Sequence, residues 1–180
     1  MKATGIVRRI DDLGRVVIPK EIRRTMRIRE GDPLEIYTDR DGEVIFKKYS
    51  LMGGISEFAA HLCETMYKTT GHPAVITDRD SILAVSGAPR RELMEKPVTA
   101  PLETIMENRK IYQPRAGESR IQLTEGNDRF AVLTAAPILT EGDVIGCVVL
   151  CGGEGSAPMG ETEYKLTQTV AGFLGRHMEA

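Results

Sequence analysis

Nine basic side chains fall within the first 29 residues, Lys2, Arg8, Arg9, Arg15, Lys20, Arg23, Arg24, Arg27 and Arg29, against three acidic ones, Asp11, Asp12 and Glu21. Most are arginine, whose planar guanidinium binds phosphate through two parallel N–H donors and also fits the edge of guanine. A merely solvating surface is more often lysine mixed with glutamate. The chemistry this stretch can do is anion recognition, and a nucleic-acid backbone is the partner that fits it.

The charge of the whole chain, −2 over 180 residues, averages two unlike parts. Residues 1–50 hold 12 basic against 9 acidic side chains, a balance of +3, and residues 51–180 hold 12 against 17, a balance of −5.

Other chemistries find little support. His61, His72 and His177 are scattered without metal-ligand spacing, and no serine or cysteine sits in a nucleophile motif. Cys63, Cys147 and Cys151 are odd in number and widely spaced, which excludes a disulfide framework. Cys147 and Cys151 lie four apart in an apolar strand pattern, on one face, and read as small buried side chains. Gly152-Gly153-Glu154-Gly155 lacks the lysine of a phosphate-binding loop and reads as a flexible turn. Neither enzymatic activity nor a cofactor or metal is expected. No apolar run approaches the roughly 18 residues of a transmembrane helix, and Met1-Lys2-Ala3-Thr4-Gly5 begins no apolar signal core. A soluble, cytoplasmic protein without membrane contact is expected.

The elements that must carry the arginines can be read from periodicity. Ile6 to Ile10 alternates as a strand, Asp11-Asp12-Leu13-Gly14 supplies turn residues, and a second short strand runs from Arg15 to Ile18. Pro19 suits the first position of a helix in which Ile22 and Met26 share the apolar stripe. Arg23, Arg24 and Arg27 fall off that stripe and are free to face a partner. Leu34 to Asp39 and Glu43 to Lys47 alternate as strands about the hairpin signal Asp41-Gly42. Fifty such residues bury too little surface for secure independent stability, and dimerisation is the natural remedy. Two-fold symmetry would then duplicate every arginine on one surface.

Thr4-Gly5-Ile6-Val7-Arg8-Arg9, Asp12-Leu13-Gly14-Arg15-Val16-Val17-Ile18-Pro19, Glu21-Ile22-Arg23-Arg24-Thr25 and Leu34-Glu35-Ile36-Tyr37 resemble the amino-terminal domain of the AbrB-type transition-state regulators. The resemblance implies a swapped-hairpin dimer that binds double-stranded DNA, with Arg8, Arg15, Arg23 and Arg24 as the main contacts. It also implies AT-rich, flexible promoter targets, recognised by shape and deformability more than by base identity. The same amino-terminal fold occurs in toxin-neutralising antitoxins, which gives the alternative function of an interaction protein.

Past the paired glycines Gly53 and Gly54 the pattern changes, so residues 1–50 read as one domain, 51–54 as a linker and 55–180 as a second domain. Ile55, Phe58, Ala59, Leu62 and Met66 have helical spacing and Gly71 stops that helix. Ala74 to Asp78 and Ile82 to Val85 read as a hairpin, residues 90–109 as mostly helical, and Ile121 to Leu123 as a strand. Phe130 to Leu139 and Val144 to Leu150 are near-continuous apolar strands about the turn Thr140-Glu141-Gly142-Asp143. Leu166, Val170, Phe173, Leu174 and His177 share one face of a terminal helix. The order predicts an α+β domain, an antiparallel sheet with flanking helices.

That order, with Ala136-Pro137-Ile138 and the run Val144-Ile145-Gly146-Cys147-Val148-Val149-Leu150, resembles a GAF domain. Such domains sense small molecules or mediate dimerisation, which implies an assembly role and an unknown small-molecule ligand. The asparagine-lysine-phenylalanine-aspartate-glutamate signature of cyclic-nucleotide-binding members is missing, and the sequence singles out no ligand-binding residue. An AbrB-like half before a GAF-like half resembles regulators of sporulation in endospore-forming bacteria. That resemblance implies an activator and repressor in the forespore, assembled as a homotetramer through the terminal helices.

Overall fold

Where the paired glycines suggested a linker, the chain is helical. In the computed structural model, which describes residues 4–115, 117–156 and 159–179, Leu51–Ile55 forms a 3-10 turn whose Met52 is fully buried. Residues 51–54 therefore belong to the second core, and the chain divides into two units after Tyr49. Lys2 of the basic stretch lies outside the described residues.

The first unit contains one short helix, α1 (Lys20–Thr25), and the antiparallel pair β1 (Leu34–Thr38) and β2 (Val44–Lys48). Pro19 caps the helix from outside, its carbonyl accepting from Arg23 N at 3.0 Å, so the helix starts one residue later than expected. At the other end Arg27 adopts φ 52°, Ile28 N donates to Arg23 O at 2.8 Å and Arg27 N to Arg24 O at 3.2 Å. These are the two crossing bonds of a Schellman stop, which usually places glycine where Arg27 stands. Between the strands Asp39 Oδ1 accepts from Asp41 N at 3.0 Å and Glu43 N at 2.9 Å, closing the turn that Asp41-Gly42 signalled.

The expected strands at residues 6–10 and 15–18 do not form. Among the described residues neither segment has a ladder partner, and a strand is defined by the partner that accepts its hydrogen bonds. Their apolar side chains stay in solvent: Val7 is 89% exposed and Ile10 and Val17 are each 70% exposed.

The second unit is an antiparallel sheet, in spatial order β4-β3-β6-β5, built from β3 (Ala74–Asp78), β4 (Ile82–Ser86), β5 (Ala131–Thr140) and β6 (Asp143–Gly152). One face carries α2 (Ser56–Thr70) and α5 (Glu161–His177). The other carries α4 (Ala100–Glu107), with the single turn α3 (Arg90–Leu93) against β4. Both faces are therefore dry. This explains the unbroken apolar run of β6: Cys147, Val149 and Cys151 enter one core while Val148 and Leu150 enter the other. Gly71 ends α2 in the left-handed conformation at φ 72°, its N–H donating to Tyr67 O at 2.8 Å. Residues 121–123 form no strand; Gln122 makes an isolated bridge to Ala131, and the following Thr124 another to Val98. No helix among the described residues is long and apolar enough to cross a membrane.

The terminal helix buries only part of the stripe its large side chains suggested: Leu174 is fully buried and Val170 packs against the core. Thr167, Ala171, Leu174 and Gly175 meet the sheet, whereas Phe173 is half-exposed and His177 faces solvent. Gly175 lies directly against the Leu139 carbonyl of β5.

All three cysteines are buried, as expected of structural thiols. Burial pushes the Cys63 and Cys151 thiols up to about 12 and raises Cys147 as well. A thiol-specific dye at pH 8 should leave them unlabelled until denaturant is added. Below the unfolded thiol value of 9 their neutral state costs nothing. Between about pH 9 and 12 the unfolded chain releases protons that the folded chain retains, so stability should fall as pH rises, by up to about 1.4 kcal/mol per pH unit for each thiol. Urea midpoints measured from pH 8 to 10.5 would show it, and a flat profile would mean the thiols reach water.

Candidate nucleic-acid interface

The turn expected between the first two segments is present and is organised by one carboxylate. Asp11 Oδ1 accepts from Leu13 N at 3.0 Å and Arg15 N at 2.7 Å, and Oδ2 accepts from Arg15 Nε at 2.8 Å. Asp11 N donates to Arg15 O and Gly14 N to Asp11 O, each at 3.0 Å. Gly14, at φ 76°, takes the left-handed position that a residue with Cβ would strain to hold. The backbone N–H of Arg15, then its guanidinium, hold the Asp11 carboxyl below the usual carboxylate range.

Arg8 and Arg15 therefore stand on the two sides of one tight turn, both exposed. Arg23 and Arg24 stand on a separate element, adjacent in the last turn of α1 and also exposed, where cations favour the negative end of the helix. Among the described residues no carboxylate pairs with Arg8, Arg23 or Arg24. Arg27, expected on the free face, is instead half-buried at the Schellman stop, and its carbonyl accepts from Lys48 Nζ at 2.8 Å. Lys48 Nζ also lies 3.2 Å from Asp32 Oδ2, whose carboxylate is nearly buried and accepts from Arg29 N at 2.8 Å. This knot ties the segment after α1 to β2 and fixes where the helix and its arginines sit on the hairpin.

Sequence reasoning named the four arginines and gave Asp11 only as a turn residue, without its tie to Arg15, and it did not single out Lys48. The signal for that tie was available: an aspartate opening a turn, glycine at its fourth position and arginine next, is the spacing at which one carboxylate reaches both backbone and guanidinium. For Lys48 no local signal exists, because its partners lie 16 and 21 residues away.

An exposed arginine surface on a small β-rich unit, followed by a two-faced antiparallel sheet with flanking helices, is the build of a two-domain transcription regulator. Residues 54–179 match the family described as stage V sporulation protein T C-terminal, transcription factor, and residues 7–51 match the MazE family of bacterial antitoxins, described as antidote-toxin recognition. The chain belongs to the stage V sporulation protein T family of transcription factors. Stage V sporulation protein T of Bacillus subtilis (strain 168) is 51% identical over 180 residues, 99% of each chain. The transition state regulatory protein AbrB of the same organism is 65% identical over 49 residues, 27% of this chain and half of AbrB. The GAF domain of an Acinetobacter phosphoenolpyruvate-protein phosphotransferase shares the fold of the second unit, with TM-score 0.57 at 11% identity, covering 73% of this chain and 84% of that one.

Proposed function

We propose that this sporulation transcription factor binds double-stranded DNA as a dimer of its first unit, through Arg8, Arg15, Arg23 and Arg24. The observation that carries the reading is the exposure of these four arginines on a unit whose own apolar arms are also exposed. A second copy would cover Val7, Ile10 and Val17 and, by two-fold symmetry, double the arginine surface. Phosphate contacts would supply affinity, and AT-rich, flexible promoters would be favoured because they deform at low cost. The protein would act in the cytoplasm of the forespore, activating some promoters and repressing others.

The second unit would assemble the dimers into tetramers and could carry a small-molecule signal. Support for assembly comes from Phe58 of α2, half-buried against the core, with Phe173 and His177 of α5, whose ring centroids lie 5.1 to 6.1 Å apart. Phe173 remains 51% exposed beside these two rings, apolar surface that a second copy would cover.

The test is binding of the full chain to AT-rich duplex DNA across a salt series. A dimer engaging about eight phosphates should give a log-log slope near −7. Weak binding with a shallow slope would reduce the basic surface to a solvated one. The match of residues 7–51 to the antitoxins favours a second reading, in which the remainder neutralises a toxin. Antitoxin tails stay disordered until bound, so limited proteolysis that leaves a resistant carboxy-terminal fragment would count against it.

A further inference from the structure

A long arginine side chain in solvent loses much rotamer freedom when it clamps a phosphate. Arg15 is 69% exposed, yet it is already held at two points by Asp11, at its own backbone N–H and at Nε. Engagement of Nε has a chemical consequence. It occupies the side-on edge of the guanidinium and leaves the two terminal nitrogens, an end-on fork, to donate two parallel N–H bonds to one phosphate. The same carboxylate also sets the turn, because its other oxygen accepts from Leu13 N and Arg15 N together. A carboxylate beside a polyanion would otherwise only repel it.

We propose that Asp11 is a positioning residue for DNA recognition: it pre-forms the 11–15 turn and presents the end-on fork of Arg15 to a backbone phosphate. The proposal rests on the DNA-binding reading above. It predicts that one substitution weakens binding with Arg15 present and does not weaken it once Arg15 is gone. Asp11→Asn keeps a neutral oxygen for the two backbone N–H groups but puts an amide donor against Nε, so the turn survives and the guanidinium is released. Removal of a negative charge by itself strengthens binding to DNA.

The experiment is a double-mutant cycle in the full chain, with Asp11→Asn, Arg15→Ala and the two combined, read as affinity for a short AT-rich duplex at fixed salt. Asp11→Asn is expected to weaken binding about tenfold with Arg15 present. With Arg15→Ala in place, the same change should leave affinity unaltered or raise it up to about threefold, the sign of lost repulsion. An unchanged melting temperature in Asp11→Asn shows that the loss is one of orientation. Asp11→Ala, which removes the turn acceptor too, should bind more weakly still. Equal losses with and without Arg15, or tighter binding by Asp11→Asn in the wild-type background, overturn the positioning role while leaving the DNA reading intact. Absence of salt-steep binding by the wild type overturns both.

Discussion

The full chain carrying Arg23→Ala and Arg24→Ala is expected to bind duplex DNA roughly a thousandfold more weakly at about 0.15 M salt, with the salt slope reduced from near −7 to between about −3 and −4. The magnitude follows from counting charges. A dimer presents each arginine twice, so the double substitution removes four phosphate contacts, and each releases about 0.9 of a counterion. Both side chains are exposed and both sit in a helix, where alanine is the most favourable residue. Melting of the first unit should therefore change little, and the loss should appear equally on AT-rich and mixed-sequence duplexes because phosphate contacts carry no base information. Anisotropy titrations at several salt concentrations measure both quantities. Unchanged affinity would remove these residues from the interface and direct attention to protein partners.

Gly175→Ala should be among the most damaging single methyls in the second unit. A Cβ built at Gly175 would stand 2.1 Å from the carbonyl oxygen and 3.2 Å from the carbonyl carbon of Leu139. Both are backbone atoms of β5, so no side chain can rotate away, and α5 must lift from the sheet it covers. Leu174 and Ala171 leave the core with it, as does the 3.1 Å bond from Thr140 Oγ1 to Gly175 O. We expect a loss of about 3 kcal/mol or more, which for a unit of this size lowers Tm by roughly 10 °C. Gly172, three residues earlier in the same helix, has no atom within 4 Å of its Cβ position. Gly172→Ala should instead stabilise by about 0.5 to 1 kcal/mol through helix propensity alone. Calorimetry of the pair isolates the close approach from propensity, and equal shifts in Tm would refute it.

The second unit was largely legible because its signals are local. Gly71 ended α2, the turn at Glu141-Gly142 joined β5 to β6, and the unbroken apolar run of β6 followed from burial on both faces. Its errors share one cause. The face of α5 was drawn through its larger side chains, yet Gly175, Ala171 and Thr167 are what allow α5 to approach the sheet, and Phe173 stays half-exposed. Paired glycines were likewise read as a break, although Met52 anchors that turn in the core. In the first unit the arginines were legible by type alone. The two expected strands were not realised because neither segment has a ladder partner among the described residues, and alternation alone does not supply one. Asp11 became meaningful only once the turn brought its carboxylate to Arg15.

On the proposed dimer, the exposed arms of the first unit would tie its competence to abundance. If Val7, Ile10 and Val17 are covered only in a pair, the amount of correctly folded recognition surface grows with the square of chain concentration while pairs are scarce, and linearly once they are plentiful. Promoters would then respond to accumulation of the protein through a threshold instead of in proportion. Association through the second unit would lower that threshold, because covalent attachment raises the local concentration of arms to roughly the millimolar range without any new contact. Substitutions at the outer helices, far in sequence from every arginine, would on this logic shift the dose at which genes switch while leaving the final occupancy unchanged.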